Sequence, residues 1–176
     1  MATSANDRID EDVQRAVLFL DYDGTLHRGP TYRTRRGIVS SDPERIALFE
    51  FAPLLDALLK PYPQLEIVLS TSWVPVLGFK RAKKFLPTSL RERVVGATFH
   101  SMYADAFAWP TIGRGIQVLR YVGVHRLRRW LAIDDQDDGA EGYEKHFVKC
   151  NQALGLGDSE TVELLQCRLA EQFGEV

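Results

Sequence analysis

The sequence predicts an α/β fold built on a parallel sheet with helices on both faces, and three observations carry that expectation. Apolar runs of strand length recur at residues 16–20, 65–69 and 130–133, with too little polar alternation for half-exposed strands. Stretches of helical periodicity separate them. The runs end in Asp21/Asp23, Ser70/Thr71 and Asp134/Asp135, at the carboxyl ends of strands, where open parallel sheets bind ligands. Right-handed crossovers bring these ends to one edge of a three-layer α/β/α sheet.

Composition sets the limits. The chain has 176 residues, 45% hydrophobic and 26% charged, enough for one full-sized domain with a core. Residues 13–176 are expected to form that domain, and the polar residues 1–12 a flexible arm. A formal net charge of −2 excludes wholesale coating of nucleic acid and leaves room for local basic patches. The first residues lack the basic start and apolar stretch of a signal peptide. No apolar run approaches the ~20 residues of a membrane helix. Cys150 and Cys167 lack metal-ligand spacing, which points to a reduced, cytoplasmic protein.

The first run leads into Asp21-Tyr22-Asp23-Gly24-Thr25. Two carboxylates at i, i+2 repel, and burial intensifies the conflict. A cation beside them resolves it, and oxygen-only donors favour a hard ion such as Mg2+. Gly24 lets the chain turn away without a Cβ penalty. A strand-ending turn rich in Asp and Gly is the plainer alternative.

Residues 27–40 follow neither period and carry Gly29, Pro30, Gly37 and four arginines, Arg28, Arg33, Arg35 and Arg36. They read as a loop or small flap, either a solvated basic segment or one that attracts phosphate. Ser41-Asp42-Pro43-Glu44 has the form of a capping box. Pro53 interrupts the stretch after it, so the firmer helix covers 52–59, with proline in its first turn. Leu54, Leu55, Leu58 and Leu59 form its expected buried stripe.

Pro61 and Pro63 end that helix, and the second run is followed by Ser70-Thr71-Ser72-Trp73. Hydroxyls there either bind an anion or cap the next helix. That helix is expected over 76–85, with Lys80, Arg81, Lys83 and Lys84 as a solvated face or a phosphate-backbone patch. Residues 94–98 suit a short strand. Residues 100–110 form an aromatic-bearing loop whose Tyr103, Phe107 and Trp109 are expected to pack in the core or as a lid rather than stack bases.

Residues 114–122 are amphipathic, with Ile116, Val118, Leu119 and Val122 available for packing. Arg114 stands at the start, where a cation opposes the helix dipole, which suggests another role for it. The third run leads into Asp134, Asp135, Asp137 and Asp138. A calcium loop beginning at Asp134 fails, because its twelfth position is Lys145 rather than Glu. Residues 147–150 suit a last short strand. Asp158 is a good N-cap for a helix over 159–173, with Val162, Leu165, Leu169 and Phe173 on one face.

Taken in order, Asp-x-Asp-Gly-Thr, a strand ending in Ser/Thr, a basic residue and Asp-Asp, these motifs resemble the haloacid dehalogenase (HAD) superfamily of phosphohydrolases. They span residues 16–138. The stretches FLDYDGTLH, IVLSTSW and WLAIDD are more narrowly similar to the HAD domain of Swiss-army-knife RNA repair proteins, with Val74 standing where arginine is expected after the tryptophan.

The resemblance implies a Rossmann-like sheet and an aspartyl-phosphate mechanism. Asp21 would be the nucleophile and Asp23 the acid and base, its backbone carbonyl also touching Mg2+. Thr71 would hold the phosphoryl oxygens, with Ser70 the alternative. Arg114 would occupy the basic position, and Asp134 and Asp135 would hold Mg2+ with Asp21. HAD enzymes choose substrates through cap insertions, and neither 27–40 nor 98–114 has room for a folded one, so an open site without a large cap is expected. The leading expectation is a Mg2+-dependent phosphomonoester hydrolase acting on a nucleotide or nucleic-acid end, with a small metabolite phosphate second. A non-catalytic phosphate-binding module and a phosphotransferase are the alternatives.

Overall fold

The computed structural model describes residues 15–174, so the arm expected at 1–12 lies outside the described residues. β1 (Ala16–Leu20) is the central strand of a five-stranded sheet. β4 (Glu66–Leu69) and β6 (Arg129–Asp134) flank it, with β5 (Val94–Ala97) and β7 (Phe147–Lys149) at the edges. Every pairing in this sheet is parallel. Leu20 is in register with both Leu69 and Ile133, so Asp21, Ser70 and Asp134 leave the sheet at one level.

All five side chains of β1 are buried, as a continuous apolar run requires. Alternate residues feed different layers. Leu18 and Leu20 pack with Leu55 and Leu59 of α1 (Ala52–Leu59) and Leu165, Leu169 and Phe173 of α6 (Ser159–Phe173). Val17 and Phe19 face α5 (Arg114–His125) through Val118, Leu119 and Tyr121. Phe19 meets the rings of Tyr121 and Trp130 edge-on at 5.4 and 6.0 Å. Each such buried side chain contributes about 2 kcal/mol of transfer free energy. The three layers are those expected.

Asp158 caps α6 as expected, accepting the Thr161 N–H at 3.2 Å and its hydroxyl at 2.6 Å. In α1 the stripe is narrower than expected, with Leu54 and Leu58 only half-buried beside Leu55 and Leu59. In α5 Ile116 stays exposed, because its side chain lies over the backbone of Gly139 instead of entering the core.

Several segments depart from the expectation. Residues 27–40 contain an antiparallel hairpin, β2 (Thr31–Thr34) and β3 (Gly37–Ser40), joined at Arg35-Arg36. Its strands are short and mostly exposed, so no alternating apolar pattern marks them. The helix expected at 76–85 is two, α2 (Trp73–Leu77) and α3 (Phe79–Lys84), broken where Gly78 takes φ +86°. α4 (Thr88–Glu92), five residues long, is too brief to show a period. The capping-box sequence at Ser41 starts no helix. It makes a single turn, Ile46 N–H to Asp42 C=O at 2.8 Å, and Phe49 then redirects the chain with φ +60°.

Cys150 and Cys167 are both free thiols. Among the described residues, no helix is long and apolar enough to cross a membrane.

Candidate active site

The strand ends bring Asp21, Asp134 and Asp135 together. Each offers one carboxylate oxygen within 4.8 Å of the others. Asp21 follows β1 directly, anchored by its N–H to the Ile133 carbonyl at 3.2 Å. Gly24 makes room for the cluster, since at φ +67° a Cβ there would lie 2.9 Å from Asp135 Oδ2. Both reasons require glycine.

Arg114 reaches the same cluster from the start of α5. Gly113 and Gly115 bracket it, and a Cβ on either would come within 2.6–2.8 Å of the Asp138–Ala140 backbone. This close approach delivers the guanidinium to the acids. Nε lies 3.0 Å from Asp134 Oδ2 and Nη2 3.7 Å from Asp21 Oδ1. The closer pair attracts by charge without hydrogen-bond alignment, so both atoms are buried with no hydrogen-bond partner.

The electrostatics follow from this crowding. Burial, opposed by Arg114 and reinforced by Asp135 and Asp23, pushes the Asp21 carboxyl up to about 8. Burial and then Asp21 raise Asp134 well above the usual carboxylate range, and burial raises Asp135. Burial works against the Arg114 charge, yet Asp21 and Asp134 hold its pKa above the ordinary value. One arginine under-neutralises three acids. An orphaned buried oxygen and an all-oxygen donor set fit a hard divalent cation.

Asp23 stands apart from this trio. Its Oδ1 accepts three hydrogen bonds, from His27 Nε2 at 3.0 Å, Thr31 Oγ1 at 2.9 Å and Trp73 Nε1 at 3.1 Å. None of these partners stands out in the sequence as one. His27 is signalled only by its i, i+4 spacing from Asp23, and Thr31 arrives through a hairpin that lacks a pattern.

The hydroxyl run sorts itself by partner. Ser70 Oγ is buried without a partner, while Thr71 Oγ1 accepts the Trp73 N–H at 3.3 Å. Both sit behind the exposed Ser72, whose side chain borders the cleft. Val74, at the position where the resemblance leads one to expect arginine, is buried in the core.

A cleft of about 760 Å³ opens over these groups. Asp21, Asp23, Asp135 and Arg114 line it from the sheet edge, Arg33 from the hairpin and Pro30 from just before it. The 98–113 connection contributes Phe107, Trp109 and Pro110. Trp109 is packed as expected, edge-on to Phe99 at 5.6 Å. Phe107 is 93% exposed and Tyr103 84%, so these two rings do not join the core. Arg35 and Arg36 lie at the exposed hairpin turn, and Lys80, Lys83 and Lys84 border a separate surface hollow with Arg91. Neither insertion holds a large folded cap among the described residues.

A family model described as the HAD domain in Swiss Army Knife RNA repair proteins matches residues 17–161. No curated protein and no solved structure matches the chain.

Proposed function

Because the chain belongs to the HAD-domain family of Swiss Army Knife RNA repair proteins, we propose that it is a Mg2+-dependent phosphomonoester hydrolase acting on nucleotides or nucleic-acid ends. The observation that carries this reading is the convergence of Asp21, Asp134, Asp135 and Arg114 in one cleft beside a separately held Asp23. Phosphoryl transfer needs chiefly positioning and charge stabilisation, and these are the groups for it.

In this mechanism Asp21 attacks phosphorus and the bond to the leaving oxygen breaks, giving an aspartyl-phosphate. Asp23 gives that oxygen a proton and the alcohol departs. Asp23 then takes a proton from water as the water attacks phosphorus, which releases phosphate and restores Asp21. Arg114 stabilises charge on the transferring oxygens, and Thr71 or Ser70 orients them. Mg2+, held by Asp21, Asp134 and Asp135 with the Asp23 backbone carbonyl, would supply the positive charge that the three acids lack. The open cleft and Arg33 at its border favour a bulky polyanion over a small metabolite.

The test is phosphate release from 3′- and 5′-phosphorylated oligonucleotides, mononucleotides and sugar phosphates, with Mg2+ and with EDTA, beside Asp21→Asn. Metal-dependent release abolished by the substitution is the expected result. Silence across the panel from folded, Mg2+-binding protein overturns the reading in favour of a binding module.

A further inference from the structure

We propose that His27, Thr31 and Trp73 are positioning residues that pin one oxygen of Asp23 and reserve the other for proton transfer. The inference rests on the hydrolase reading and adds to it how the acid is aimed. A carboxylate free to rotate offers either oxygen in many directions, and proton transfer needs one oxygen in one place. Here three donors converge on Oδ1 at 2.9–3.1 Å. Oδ2 has no partner among the described residues, and the side chain lines the cleft.

Each donor is itself held. His27 is fully buried, and its Nδ1 accepts the Phe49 N–H at 3.4 Å. A nitrogen that accepts carries no proton, so the imidazole proton sits on Nε2 and points at Asp23. Phe49 makes that contact from a left-handed backbone, φ +60°, a conformation that persists where surroundings over-determine it. Its ring does so, meeting Tyr22, His27 and Trp73 at 4.9, 5.4 and 5.4 Å. Trp73 is fixed in the same cluster, edge-on to Phe85 at 4.9 Å. Thr31 comes from the first residue of β2, so the hairpin that borders the cleft also holds the acid.

The leaving group reads this arrangement. A basic alcohol must receive a proton as it departs, whereas p-nitrophenolate leaves without one. Thr31→Val removes a donor and keeps the shape, whereas Trp73→Phe removes a donor and also shrinks a buried ring, so Thr31→Val is the deciding variant. Turnover by these variants and by Asp23→Asn is compared on p-nitrophenyl phosphate and on an alkyl phosphate. The loss in kcat/KM, which reports the first transfer and not the hydrolysis step that both esters share, is expected to be larger on the alkyl ester than on the aryl ester by about tenfold or more. Equal losses on both esters, or none, overturn the proposal.

Nitrogen-15 NMR of histidine-labelled protein reads the network without turnover. His27 is expected as the Nε2–H form, with its Nε2 resonance displaced in Asp23→Asn. A protein with that signature and no activity on either ester keeps the network and overturns the hydrolase reading. A His27 protonated on Nδ1 overturns the positioning whatever the activity.

Discussion

Arg114 Nε lies 3.0 Å from Asp134 Oδ2 and forms no hydrogen bond with it. The guanidinium therefore acts on the cluster as a nearby charge. Removing it leaves buried acids without compensation, which costs about 3 kcal/mol where a buried pair is broken. Arg114→Met is expected to unfold at correspondingly lower urea in EDTA and to recover part of the loss in Mg2+. Its phosphate release is expected to fall by about 100-fold, the scale of one lost charge-stabilising group.

The raised acids set a pH dependence. Folded Asp21 holds its proton up to about 8 against an ordinary value of 3.8. The folded state therefore binds more protons than the unfolded chain between those values, and stability falls as pH rises. The contribution is complete below pH 3.8 and lost as pH climbs through about 8. Thermal unfolding in EDTA is expected at a lower temperature at pH 8 than at pH 5. Asp21→Asn is expected to reduce that difference without abolishing it, because Asp134 and Asp135 are raised as well, and Mg2+ is expected to reduce it too.

Gly24 carries both a left-handed backbone and a close contact with Asp135. Gly24→Ala is expected to cost about 2 kcal/mol in chemical denaturation, from strain and from displacing the carboxylate. Mg2+ affinity measured by calorimetry is expected to weaken in the same variant, since Asp135 is one of the three converging acids.

Arg33 borders the cleft from the hairpin. If the substrate is a polyanion, Arg33→Ala is expected to raise KM several-fold for a phosphorylated oligonucleotide and less for p-nitrophenyl phosphate. The salt dependence of that KM is expected to flatten by a slope of about 0.7, one phosphate contact on a single strand.

Strands buried on both faces leave continuous apolar runs, which is why β1, β4 and β6 and the polar residues that end them are legible in the sequence. Arg114 is legible for a different reason, an unfavourable charge at a helix start that only the acids explain. The hairpin is not, because its strands bury almost nothing and so leave no periodic trace. The partners of Asp23 are not either. A hydrogen bond from Trp73 to Asp23 joins residues fifty apart, and no local pattern encodes which polar tips meet across a fold. The break at Gly78 is written in the sequence, but a glycine inside a basic helical stretch is often tolerated.

The placement of the tryptophans gives the molecule an optical property of its own. Of its three indoles, Trp73 donates to Asp23 and Trp109 lines the cleft, while Trp130 is buried on the opposite side of the sheet, stacked on His146. Two of the fluorophores thus border the reacting groups and the third is a constant background. Intrinsic emission, without any attached dye, is expected to follow occupancy of the cleft in real time, and Trp73→Phe separates the signal at the acid from the signal at the wall.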